Sequence, residues 1–292
     1  MTVQPFNGYP VNFRFVVMGA SRGKKRSAIN EDIFCTLLGK IKTLSRQPNF
    51  ILFLGDMVLG GYSVTDQLSS WKEIFGRYFP INHCIPVIGN HEGDETAFSN
   101  VFNYLPNSQL AGYQRTAYYF DYLNARFINL NSIRINKKGD YTIEPNQLRW
   151  LEYILRGNNK RYCFVSLHVP PFPTGAHYGQ CLDADPVLRN AFWSLIDRYN
   201  VTCVLTAHEH NYSNRIIDSS FAGYEYRFTN NIHQVITGSA GAPLDSSLKD
   251  SKSILKGPIG VYHCVVVDVY TEGVLFNAFD INGNHIDSFK IP

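Results

Sequence analysis

Charged side chains are scarce: Asp, Glu, Lys and Arg make up 17% of the 292 residues, below the roughly 25% usual for globular chains. Lys and Arg number 27 against 24 Asp and Glu, too slight an excess to form the basic face that grips nucleic acid. No apolar run reaches the roughly 18–20 residues of a membrane span. Met1 to Pro10 shows no basic stretch followed by an apolar one, so no secretory leader is expected. No two of the six cysteines have CxxC spacing, and Cys163, Cys203 and Cys264 fall inside strand-like apolar runs. Buried, reduced thiols are expected rather than a disulfide framework. A cytoplasmic setting follows, with a secreted or periplasmic one only if a leader has been removed.

Apolar surface is abundant. The chain is 45% hydrophobic, with 18 Tyr and 20 Phe, enough to bury a full core without covalent staples. Length suits one large α/β domain or two small ones, but no repeat, low-complexity tract or long linker divides the chain. Strands are predicted at Phe13–Gly19, Phe50–Leu54 and Cys84–Ile88, with helices between them at Asn30–Arg46 and Thr65–Phe79, the second opened by a capping residue. A hairpin turns around Asn124, between Tyr118–Leu123 and Arg126–Leu130. Next come a helix over Glu144–Leu155 with Pro145 in its first turn, a strand over Tyr162–Leu167, a helix over Pro186–Tyr199 capped by Asp185, and a strand over Thr202–Thr206. From residue 224 onward the pattern is β only, at His233–Thr237, Val261–Tyr270 and Val274–Asp280. Early helices between strands imply parallel pairing, and the late β run implies antiparallel pairing. The class is α/β, with two packed mixed sheets.

The apolar strands end in ligand-type side chains. FILFLGD ends in Asp56, CIPVIGNHE brings Asn90 and His91, YCFVSLH ends in His168, and TCVLTAHEH brings His208 and His210. In open α/β sheets ligands gather at the carboxyl ends of strands. Any one of these residues has a bland explanation as a turn or core residue. Four separate strand ends carrying oxygen and nitrogen donors, with no thiolate, point to Mn, Fe, Co or Zn.

In their order, Gly55-Asp56, Gly89-Asn90-His91-Glu92, His168 and Ala207-His208-Glu209-His210 resemble the motifs of the calcineurin-like metallophosphoesterases, over about residues 13–268. The resemblance implies a single domain over 1–292, a four-layer α/β/β/α fold and two transition-metal ions acting on a phosphorylated substrate. It implies that Asp56 bridges the metals, that Asn90, His168 and His208 complete the second site, that His210 serves the first, and that His91 faces the substrate as general acid or phosphoryl donor. A metal-activated hydroxide would attack phosphorus.

The sequence departs from this pattern at one position. The first strand reads Val16-Val17-Met18-Gly19-Ala20-Ser21-Arg22, so Ala20 stands where the family carries an Asp, and Arg22 where a His is frequent. The first site is left thin and turnover is expected to be low. Two explanations stay open: a deliberate Asp→Ala silencing, which the intact remaining set favours, or a natural member that has lost one metal. A catalytically inactive binding or scaffold protein on the same fold is the alternative function. A thiol-based phosphatase is excluded, because no cysteine sits in a Gly/Arg-rich loop.

Arg22 is a candidate to grip phosphate, while Lys24, Lys25 and Arg26 read as a solvated loop. His177 and Tyr178 lie on the Pro/Gly-rich loop after His168 and are substrate candidates. Asn30 fits either the rim or a helix cap, and Asn211-Tyr212 could cover the site. Glu92 and Glu209 read as supporting or solvent-facing, and His263 as structural, while His83 and His233 match no motif. Leu59 occupies the position of the iron-binding Tyr of purple acid phosphatases, which argues against that subtype.

Overall fold

The computed structural model describes residues 1, 10–24, 27–107, 110–222 and 226–292. Lys25 and Arg26 of the basic loop, residues 2–9 of the N-terminus and Tyr224 lie outside them. The first part alternates as the apolar spacing predicts: β1 (Phe13–Met18), α1 (Glu31–Lys42), β2 (Phe50–Phe53), α2 (Val64–Gly76), β3 (Cys84–Pro86) and α3 (Glu95–Val101). Then follow β4 (Tyr118–Tyr122), β5 (Ala125–Asn129), α4 (Pro145–Arg156), β6 (Tyr162–Ser166), α5 (Pro186–Arg198) and β7 (Cys203–Thr206). The chain finishes with β8 (Tyr212–Ile217), β9 (Ile232–Thr237), β10 (Ile254–Ile259), β11 (His263–Val269), β12 (Val274–Asp280) and β13 (His285–Ile291).

Two sheets result, ordered β13-β12-β11-β1-β2-β3 and β10-β8-β9-β7-β6-β5-β4. Helical crossovers make β1, β2 and β3 parallel, and likewise β5, β6 and β7. β9 extends the second parallel set while pairing antiparallel with β8, and β11 to β13 are antiparallel throughout. Period-two alternation assigns the faces. Phe13, Phe15 and Val17 of β1 point between the sheets, and Val16 and Met18 point to the helices. Both faces of the central strands are therefore covered, which is why they read as unbroken apolar runs. Between the sheets, Phe15, Phe127 and Phe164 pack ring on ring at 5.0–5.3 Å. Helices α1 to α3 cover one outer face and α4 and α5 the other, giving the order α/β/β/α.

The structure differs from the sequence expectation in its details. α1 and α2 are shorter than predicted. Ser63 precedes α2 in a left-handed conformation and its side chain makes no cap bond, so no capping residue opens that helix. Asn30 stands before α1 but does not cap it; its amide donates instead to the Gly241 carbonyl (2.8 Å). Asp185 does cap α5, accepting from the Leu188 N–H. All six cysteines are unpaired and five are buried. Burial pushes the Cys163 and Cys264 thiols up to about 12. Among the described residues no helix is long and apolar enough to cross a membrane.

Candidate metal centre

The parallel strands of both sheets deliver their carboxyl ends to one rim. The chain bends sharply there: Ala20 after β1, Asp56 after β2 and His208 after β7 have φ of 56°, 54° and 65°. Gly55 and Gly89 make room for the meeting of β2 and β3. A Cβ on Gly89 would lie 2.2 Å from the Asp56 nitrogen, and one on Gly55 would lie 2.7 Å from the Gly89 backbone. The glycines of the two motifs are thus required by close approach of backbone.

Asp56, His168 and His208 converge, with ligand-type atoms within 4.8 Å of one another, and all three are buried. His168 Nδ1 donates to the Leu54 carbonyl (2.6 Å), which leaves the Nε2 lone pair facing the cluster. Around Nε2 stand Asn90 Oδ1 at 3.0 Å, Asp56 Oδ1 at 3.3 Å and His208 Nδ1 at 3.3 Å. Asn90 Oδ1 is also 2.9 Å from His208 Nδ1. Four acceptor-type atoms therefore crowd one point, three on buried side chains and the fourth on the half-buried Asn90. Such a set is costly alone and is satisfied at once by a cation. The donors fit a transition metal: one carboxylate, one amide oxygen and two imidazoles.

The electrostatics follow from this crowding. Burial would raise the Asp56 carboxyl, but His168 opposes it with charge and a hydrogen bond, and the carboxyl is held well below the usual range. Burial would lower His168, but the Asp56 charge and hydrogen bond, joined by the bond to the Leu54 carbonyl and the Glu92 charge, together outweigh it and the imidazole is raised. A proton on His168 then stands in for the cation, so metal and proton compete. Burial and then the His168 charge hold His208 well below its ordinary value.

The other sequence-predicted residues divide. His210 is buried but outside the tight group; burial, then the charge of Arg22, lowers it to about 4. His91 donates its backbone N–H to Asp56 Oδ1 (3.1 Å), and its Nδ1 contacts the Leu59 carbonyl (2.7 Å), leaving Nε2 as the exchangeable nitrogen. The Arg22 guanidinium approaches Asp56 Oδ2 at 3.8 Å, whereas Lys24 is exposed. His177 is brought in, its ring 4.5 Å from that of His208. Tyr178 is half exposed and lines a different cleft, with Phe172, Arg189, Phe221 and Lys252. Asn211 and Tyr212 do not cover the site: both are buried, and Tyr212 opens β8 with its hydroxyl donating to Asp287.

The two glutamates are not solvent-facing. Each is 1% exposed and cradles a loop. Glu92 accepts from the backbone N–H groups of Asp56, Val58 and Gly89 (2.9, 3.2 and 2.7 Å) and from that of Met57. Burial, then the Asp56 charge, raises its carboxyl to about 7. Glu209 accepts from Thr174 N and Oγ1 and from Gly175 N (2.7, 3.0 and 2.7 Å), fixing the loop that carries His177. Tyr141, which no motif marks, sets its ring edge-on to His208 at 5.5 Å.

A family model for calcineurin-like phosphoesterases matches residues 30–212, well over half of the chain, so the chain belongs to that family. The match begins after β1 and Ala20 and is narrower than the resemblance over 13–268. Among curated proteins no sequence relative matches. Solved structures with this fold include a purple acid phosphatase from yellow lupin seeds (Lupinus luteus), with TM-score 0.71 and 16% identity, covering 96% of this chain and 53% of that one. The chain thus spans about half the length of the lupin enzyme. A dimetal phosphatase from Danio rerio gives TM-score 0.67 and 14% identity, covering 97% and 99%. GAP50 of Plasmodium, described as the anchor in the inner membrane complex, gives 0.68 and 16%, covering 97% and 89%.

Proposed function

We propose that the chain is a single domain that hydrolyses phosphoesters with a cation held by Asp56, Asn90, His168 and His208. One observation carries the reading: four acceptor-type atoms, three of them on buried side chains, crowd together at one point. When bound, the cation supplies Lewis acidity and an acidified water. The chain's own groups do the rest. Arg22 and His91 border Asp56 and can hold phosphoryl oxygens, the first by paired N–H donors. His91, held by the Leu59 carbonyl, can deliver a proton to the leaving oxygen from Nε2. His177 beside His208 borders the substrate's approach. The unpaired, buried cysteines support a reducing compartment.

The test is hydrolysis of an aryl phosphate and of its diester with added Mn²⁺, by the chain and by Asp56→Asn and His168→Ala. We expect Mn²⁺-dependent turnover that falls by more than about 100-fold in either variant. Equal rates in all three would end the reading. One observation favours a second reading, a binding protein on this fold: Ala20 offers no ligand at the end of β1. A folded chain that binds no Mn²⁺ and turns over neither ester would support it.

A further inference from the structure

We propose that this chain takes one metal ion, and that the Arg22 guanidinium stands in place of the second as a fixed positive charge beside Asp56. The inference rests on the phosphoesterase reading and changes how its site is filled. The two Asp56 oxygens face different chemistry. Oδ1 lies on the side of His168 Nε2 and accepts the His91 N–H. Oδ2 faces the guanidinium at 3.8 Å. Of the residues the family resemblance assigns to the first metal, this chain keeps only Asp56 and His210 as donors, with a buried methyl at Ala20 and a positive charge resident beside Asp56 Oδ2. Two donors beside an arginine do not fit a dication.

Arg22 is built into this position. Its backbone N–H donates to the Asp56 carbonyl (3.1 Å), and it forms an isolated β-bridge with Ile29. The Ala28 carbonyl of the same loop accepts from Gly23 and Leu59, which ties the loop to the segment after Asp56. Its side chain is only 16% exposed. Among the described residues its buried Nε finds no acceptor within hydrogen-bond range, so the fork keeps donors for an incoming phosphoryl oxygen.

Charge bookkeeping agrees with the replacement. Two dications against two carboxylates leave two net positive charges. One dication and one guanidinium against Asp56 alone leave the same two. Ala20 and Arg22 together thus preserve the charge a phosphoryl group meets, whereas loss of the carboxylate alone would not. The paired change favours a natural one-metal site over a silenced two-metal one.

The experiment is a calorimetric Mn²⁺ titration of the full chain stripped with chelator, with the electron paramagnetic resonance spectrum recorded at saturation. One ion per chain and an uncoupled six-line signal are expected. The double variant Ala20→Asp/Arg22→His should take two ions and show a coupled spectrum. Two ions on the unaltered chain would overturn the inference and leave the phosphoesterase reading standing. No ion at all would overturn both. Should the double variant fail to fold, Arg22→Gln serves: it should keep one Mn²⁺ but bind inorganic phosphate at least tenfold more weakly. Unchanged phosphate affinity would remove Arg22 from the role.

Discussion

Replacing Glu209 by Gln keeps the side chain's size and removes one acceptor. Glu209 Oε2 takes the N–H and the hydroxyl of Thr174, and Oε1 takes the N–H of Gly175 at 2.7 Å and that of His177 at 3.3 Å. An amide must turn its NH₂ towards one of these pairs. Facing Thr174 it can donate to the hydroxyl, which rotates to accept, but it meets the Thr174 N–H donor to donor. Facing Gly175 it meets two N–H groups. The first orientation is the milder and still loses one bond to a charged acceptor, about 1.5–3 kcal/mol, and weakens those that remain. The site is buried, so water does not readily replace the lost partner. A loss of about 2–4 kcal/mol in urea unfolding is expected. The segment 174–177 should open more often, and at about 1.4 kcal/mol per decade its amide exchange should quicken by roughly 30- to 700-fold. Because His177 rides on this segment and sets its ring 4.5 Å from that of His208, phosphate affinity should fall as well. Stability within 0.5 kcal/mol of the parent, roughly the scatter of neutral surface changes, together with unchanged exchange, would refute the reasoning.

Two further changes test the framework behind the site. Arg14 and Asp268 join β1 to β11 through two 2.7 Å bonds, both side chains almost fully buried, so Asp268→Ala leaves an unpaired buried guanidinium and should cost about 3–5 kcal/mol in urea unfolding. His263 is fully buried and burial lowers it to about 4, so between its ordinary value near 6.5 and 4 the unfolded chain binds the extra proton and stability falls as pH falls; His263→Gln should flatten that part of the stability–pH curve by up to about 1.4 kcal/mol per pH unit.

What was legible in the sequence was whatever burial on two faces imposes. The central strands β1, β2, β6 and β7 are apolar runs because helices cover one side and the other sheet covers the second. Four elements escaped. β13 mixes exposed and half-buried residues at a sheet edge without a strict alternation, and its sequence HIDSFKI carries little apolar signal. β10 contains Gly257-Pro258, a turn signal that an edge strand tolerates. β8 starts directly after the HEH block, where a rim loop was the natural reading. α3 has only seven residues, too few to show a helical period. At the site, strand-end chemistry was visible because each donor follows its own apolar run. The loop-holding work of Glu92 and Glu209 was not, since it depends on N–H groups that are distant in sequence. Tyr141 belongs to no run and no motif, and only the folded chain sets it against His208.

The rim is written in the backbone before it is written in side chains. Ala20, Asp56 and His208 each sit in the left-handed region at a strand end, a conformation that costs a non-glycine residue roughly 1–2 kcal/mol and suits Asp better than Ala. Such strain persists where its surroundings over-determine it. At Ala20 they do: its N–H donates to the Gly55 carbonyl, its own carbonyl accepts from Ala242, and the Gly19 carbonyl accepts from Ala240, all at 2.8 Å. These bonds use no side chain, so the end of β1 keeps its bend with only a methyl to display. The chemistry at the rim can therefore change by substitution alone. On one side of Asp56 the fixed bends gather an imidazole and an amide oxygen, and on the other a guanidinium two residues beyond the methyl.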